Sequence, residues 1–193
     1  MNARILVITG ILAAAIGLNI APVQAASFKI DSAHTSVVFK VKHVGYSNVF
    51  GRFDRISGGF EFDTKEPEKS SAKLVIDAAS INTNQARRDG HLRSPDFFNV
   101  KEFPEITFST TKVTKTGKNT GTVTGDFTML GVTRSQTLDV TFNKMAPNPM
   151  SKVLTAGFSA RGKIKRSDFG MKYGLGGLGD EIEVFIEIEG TSK

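Results

Sequence analysis

The chain has 193 residues, with 25 Lys and Arg against 19 Asp and Glu for a net charge of +6, and neither cysteine nor tryptophan. Lack of cysteine excludes a disulfide framework, thiolate chemistry and a lipid-modified amino terminus, and a chain of this length buries enough surface to fold without a staple. Its cations are interleaved with carboxylates and form no run of five, which argues against nucleic acid as a partner and favours acidic lipid head groups or phosphates.

Arg4 precedes an uncharged apolar run, Ile5 to Ile20, and a small-residue stretch closes at Ala25. Val23 and Ala25 hold the minus-three and minus-one positions of an A-x-A-like processing site. Residues 1–25 are therefore expected to be a cleaved signal peptide, and 26–193 a single domain in the periplasm. An uncleaved anchor is the competing reading; it usually needs about 20 apolar residues, more than this run supplies.

From there strict alternation dominates. Val37, Phe39 and Val41 alternate with Lys40 and Lys42, and after a turn signal at Ser57-Gly58-Gly59, Leu74, Ile76 and Ala78 alternate with Lys73 and Asp77. One charged segment, Asn84 to Phe98, breaks the pattern and reads as a short helical insert. Asn82 is expected to cap it with Gln85 three residues later, and Ser94-Pro95-Asp96 to start a second turn with Pro in the first helical position. Alternation resumes with Val123, Phe127 and Met129, with Leu138, Val140 and Phe142, and with Ile182, Val184, Ile186 and Ile188. Thr116 to Asn119, Leu130-Gly131 and Pro147-Asn148-Pro149 supply the turns between. These are half-buried antiparallel strands, about eight in all, and closure into a barrel removes their edges. The predicted fold is all-β: a closed antiparallel barrel with one short helical insert.

The inward face decides between a filled core and a ligand cavity. Phe39, Val41, Phe53, Phe60, Phe62, Ile76, Phe108, Phe127, Phe142 and Phe158 fall on it, interleaved with Gly51, Gly58, Ala78, Gly125, Ala160 and Gly162. Small inward residues favour room for one ligand, whereas glycines marking bulges and bends would be consistent with a packed barrel. An apolar lining suits a long hydrocarbon tail, because each buried methylene contributes roughly 0.8 kcal/mol while a sugar or peptide would leave polar groups unpaired. Arg87, Arg88, His91 and Arg93 of the insert are then the candidate rim for a polar or phosphorylated head group. A solvated surface helix is the alternative reading of the same residues.

Catalytic patterns fail on context. Gly174 to Gly179 spells G-x-G-x-x-G but precedes a strand instead of a helix, and Asp168-Phe169-Gly170 copies a kinase triplet without its companions. Gly157 to Gly162 misses a nucleophile elbow by one residue. His34 and His43 read as one strand with the two rings on opposite faces, and His91 lies in the insert, so no metal site or cofactor is expected. Asp31 and His34 suit a hydrogen-bonded strand start better than a triad.

Four segments resemble the YceI-like family: DSAHTSVVFKVKHVGYSNVFGRF (Asp31 to Phe53), SINTNQARRDGHLRSPDFFNVKEFPEITFSTT (Ser80 to Thr111), GDFTMLGVTR (Gly125 to Arg134) and RSDFG (Arg166 to Gly170). The RDxHLxSxDFF block is specific, and the match covers nearly all of the mature chain. The resemblance implies an extended lipocalin-like barrel, usually periplasmic, that holds a polyisoprenoid or similar long amphipathic lipid and has no established catalysis. It places Arg87, Arg88, Asp89, His91 and Arg93 in the family's charged segment, either at the head group or fixing the helix on the barrel, for example by pairing Asp89 with an arginine. Three roles follow: a carrier for an isoprenoid lipid, an enzyme acting on one with His34, His43 or His91 moving a proton, and an envelope structural protein. A transient membrane contact is expected, with the chain a monomer or homodimer.

Overall fold

The computed structural model describes residues 25–192. Apart from Ala25, the expected signal peptide lies outside the described residues.

Alternating sequence builds β1 (Ala26–Ile30), β2 (Ser36–His43), β3 (Ser47–Phe53), β4 (Ile56–Phe62), β5 (Ser71–Asp77), β6 (Ile81–Asn82), β7 (Glu105–Lys115), β8 (Thr120–Met129), β9 (Val132–Pro147), β10 (Leu154–Lys165) and β11 (Glu181–Ser192). All pairings are antiparallel, in the order β1-β4-β5-β7-β8-β9-β10-β11, and β11 returns to β1 through Phe28 opposite Ser192 and Ile30 opposite Gly190. Eight strands thus close the barrel. The remaining three continue existing strands. β2 follows β1 along β11, β3 precedes β4 beside β2, and β6 follows β5 beside β3. The barrel is therefore an up-and-down meander whose first three staves are each broken once.

The breaks lie side by side, at Asp31 to Thr35, at Asp54-Arg55 and at a 3₁₀ turn, Ala78–Ser80. Each would strand backbone groups, and side chains satisfy them. Asp31 accepts from the amide of Ala33, Ser80 Oγ accepts from the amide of Arg55, and Asp77 accepts from the amide of Ala79 and from the Arg55 guanidinium. His34 sits in the first break and His43 ends β2, so the two do not share a strand as the sequence suggested. The Asp31–His34 hydrogen bond at 2.7 Å has the predicted strand-start geometry.

Turns follow their residues. Leu130 and Gly131 carry φ of +53° and +71°, which makes the two-residue connection of a tight hairpin with strand-compatible twist. Ser57-Gly58-Gly59 is no turn: it lies inside β4, where Gly58 takes φ of +128° and its missing Cβ leaves room for the carbonyl of Lys73.

The small inward residues also differ from expectation. A Cβ on Gly51 would meet the Phe39 ring at 2.2 Å, one on Gly125 the Phe108 ring at 2.4 Å, and one on Gly162 the Leu138 side chain at 2.4 Å. Large side chains lie across these glycines and use the space, while Ala78 is packed at 1% exposure. Of the six, Ala160 alone faces open interior. The core has an upper and a lower cluster, and edge-to-face aromatic pairs pack within each, Phe127 with Phe169 at 5.3 Å above and Phe62 with Phe158 at 4.9 Å below.

Candidate functional site

The interior is hollow in two places. An upper chamber of about 320 Å³ lies under the insert and the loop after β10, and a lower chamber of about 350 Å³ lies towards the β7–β8 hairpin. Each is at the small end of the roughly 300–1,000 Å³ usual for ligand sites. Leu74, Leu138 and Ile186 line both, so the chambers are neighbours that meet at these three side chains.

All ten predicted lining residues face these spaces. Phe39, Val41, Phe53, Ile76, Phe108 and Phe127 line the upper chamber, and Phe60, Phe62, Phe142 and Phe158 the lower. Polar side chains stand mainly at the two outer ends: His43, Thr83, Arg88 and His91 above, Lys115, Lys118 and Asn119 below. Thr107, Gln136 and Arg166 are exceptions, polar residues in the wall of the upper chamber that apolar patterning gave no reason to single out.

The insert carries α1 (Ala86–Leu92), and its cap is Gln85, not Asn82. Gln85 Oε1 accepts from the amide of Arg88 at 2.6 Å, while Asn82 pairs with β3 inside β6 and accepts from the amide of Asn84. Ser94 to Asn99 form hydrogen-bonded turns, with Phe97 N donating to Ser94 O, so Pro95 opens no second helix.

The predicted rim residues separate in space. Arg88 and His91 line the upper chamber; Arg87 and Arg93 line neither chamber. Arg93 donates from Nε and Nη2 to the carbonyls of Ala79 and Ile81, both at 2.8 Å, which fixes the insert on the broken end of the third stave. Arg88 donates to Thr83 Oγ1 and to its carbonyl. Buried Asp89 accepts from the amide and hydroxyl of Thr83, so the carboxylate holds the helix through a threonine where an arginine partner was expected. His91 Nε2 lies 2.8 Å from Asp96 Oδ2, with its ring edge-on to Phe97 and Tyr173.

Arg166 is the site residue that sequence reasoning missed. It is 3% exposed, lines the upper chamber, and donates to the carbonyls of Gly179, Met171, Tyr173 and Leu178. One guanidinium thus organises the loop that roofs the chamber. Burial lowers its pKa, partly opposed by Asp180. Burial alone would raise the Asp180 carboxyl, but hydrogen bonds from the Ser167 amide and hydroxyl, with the charges of Lys165 and Arg166, hold it below its ordinary value. The signal available in the sequence was a basic residue next to a glycine-rich loop too short of side chains to satisfy its own carbonyls.

Of the three histidines, His43 and His91 meet at the upper chamber and His34 lies off both. Among the described residues one group, Asp31, His34 and Glu189, brings potential metal-ligand atoms within 4.8 Å. Two of the three are already hydrogen-bonded to each other.

The model of the YceI-like domain matches residues 28–190. Protein YceI of Escherichia coli is 40% identical over 171 residues, which cover 88% of each chain. The solved YceI protein of Campylobacter jejuni superposes with a TM-score of 0.69 at 36% identity, covering 79% of this chain and 90% of that one. A polyisoprenoid binding domain from Saccharophagus degradans, implicated in plant cell wall breakdown, shares the fold with a TM-score of 0.62 at 18% identity, covering 88% of this chain and all of that one. With the family's segments on successive staves of one barrel and its domain spanning nearly every described residue, the chain belongs to the YceI-like family.

Proposed function

We propose that the protein is a periplasmic carrier that holds a polyisoprenoid or similar long-chain lipid along the barrel axis, with its polar head at the upper end. The observation that carries this reading is the pair of neighbouring chambers that meet at Leu74, Leu138 and Ile186 and are lined mainly by phenylalanine and aliphatic side chains. A compact ligand needs one chamber; a chain needs two in line. Each methylene taken from water contributes roughly 0.8 kcal/mol, so a tail of a few prenyl units would be held firmly without specific polar contacts. Arg88 and His91 at the upper end are the groups we assign to the head, Arg88 being held on Thr83 through Nε and Nη2 and offering its charge and Nη1 to a phosphate. The polyisoprenoid binding domain of Saccharophagus degradans, which has the same fold, supports the choice of ligand class.

The test is extraction and mass spectrometry of protein purified from its native compartment, compared with Val140→Phe. Val140 lines the lower chamber between Gly121 and Ala160 on the neighbouring strands, so a phenyl ring there takes up space in that chamber. A long prenyl lipid in the native protein, replaced by a shorter one or lost in the variant, is the expected result. Native protein that is folded, carries no lipid and takes up no added prenol would overturn the reading.

A further inference from the structure

Large apolar side chains in open water cluster at one end of this barrel. The β2–β3 hairpin exposes Val44, Tyr46 and Phe50, and the loop after β10 exposes Tyr173 and Leu175. The backbone ties these two segments into one surface: Val44 N donates to Gly177 O at 2.7 Å, Gly179 N donates to Lys42 O at 2.9 Å, and His43 bridges to Leu178. The same two segments supply His43, Val49, Tyr173 and Leu178 to the wall of the upper chamber. Exposed apolar surface is therefore continuous with the chamber that it surrounds.

Chemistry at this end narrows the partner. Residues 42–50 and 171–179 include Lys42, His43 and Lys172 and no carboxylate, and the nearest acidic groups, Asp180, Glu181 and Glu183, share a surface cleft with Lys42. Tyrosines carry an apolar ring and a polar tip, the side-chain type that rests at the boundary between head groups and hydrocarbon. Cations beside apolar and tyrosine side chains match an anionic lipid surface, where the apolar groups enter the head-group layer and the cations meet phosphates. A lipid tail in transit between bilayer and tunnel would then avoid water, which is where its transfer is most unfavourable.

Resting on the lipid-binding reading above, we infer that the β2–β3 hairpin and the loop from Lys172 to Gly179 form a docking surface for an anionic phospholipid bilayer, through which the lipid reaches the upper chamber. At the opposite end Met150, in the β9–β10 hairpin, supplies a control, because it is 88% exposed and remote from this surface.

The experiment is flotation of the described chain with sealed vesicles made of equal parts phosphatidylethanolamine and phosphatidylglycerol, beside vesicles of phosphatidylcholine alone. Wild type and Met150→Ser are expected to float with the anionic vesicles, and Tyr46→Ser combined with Leu175→Ser to lose about tenfold in bound fraction. Tyr46 is 90% exposed and Leu175 43%, so the double variant is expected to keep its fold, which circular dichroism checks. Geranylgeraniol uptake without vesicles is measured on the same proteins. Uptake with no flotation overturns the docking surface and leaves the carrier reading standing; flotation with no uptake does the reverse. Equal flotation of wild type and double variant, or a concentration-dependent dimer broken by the double variant with no vesicle binding, also overturns it.

Discussion

Arg166 donates through Nη1 to the carbonyl of Tyr173 at 2.9 Å, tying a buried guanidinium in the barrel wall to an exposed ring at the chamber's mouth. With three further carbonyls on the same group, Arg166→Met strands acceptors that no neighbour replaces. A loss of about 3–5 kcal/mol is expected. Arg166→Lys should recover little of it, because one ammonium cannot reproduce a planar fork. Urea midpoints followed by far-UV circular dichroism decide; a lysine variant as stable as wild type contradicts the account.

Asp89 accepts from the Thr83 amide at 2.9 Å as well as from its hydroxyl, within a region of low exposure. Asp89→Ala leaves the amide unpaired, and a destabilisation of about 1–3 kcal/mol is expected. Hydrogen exchange reports it locally: the Thr83 amide should lose protection before those of β7 to β10.

Gly125 and Ala160 look alike in the sequence and differ in space. Gly125→Val drives a side chain into the Phe108 ring and the Ser109 carbonyl, the latter 2.6 Å from an added Cβ, at a cost of about 1–3 kcal/mol. Ala160→Val enlarges into the lower chamber and should cost under about 1 kcal/mol. Thermal midpoints that rank the two the other way would show that the chambers are misassigned.

The Asp31–His34 pair gives a pH dependence of definite sign. The hydrogen bond to His34 holds the Asp31 carboxyl below its ordinary 3.8, and the same bond raises His34 above its ordinary 6.5. Asp31's contribution to stability is present above its unfolded value and lost as pH falls through the lowered native one. That of His34 is complete below 6.5 and lost as pH rises through its raised native value. The pair therefore contributes between these limits and fades on either side. His34→Gln should flatten both arms of the stability profile, and an NMR titration of His34 below 6.5 would contradict the geometry.

The staves and the inward phenylalanines were legible in the sequence because alternation with period two encodes a face directly. Phe39 and Phe108 illustrate what it does not encode. Each was placed on the correct side, yet whether its ring stands into the interior or lies across a glycine on the next strand depends on register between strands. For the same reason Gly51 and Gly125 read as open space and proved to be ring seats. The insert's arginines were visible as charges, but Arg93 serves two carbonyls at a strand break, and neither the break nor its free carbonyls can be seen before the staves are assembled. Arg166 is the extreme case, since all its acceptors are backbone atoms and the glycine content of their loop is the one trace they leave in the sequence.

The three neighbouring breaks have a dynamic consequence. At their height the regular ladder gives way to single backbone bonds, from Asp54 N to Ser80 O, Asp77 N to Arg55 O and Asp31 N to Glu189 O, joined by side-chain contacts among Arg55, Asp77 and Ser80, so local opening is expected to start there. The unbroken side is β7 to β11, so amides at the breaks are expected to exchange faster than those of β7 to β11, which makes the upper end of the barrel the compliant one and the lower end the stiff one.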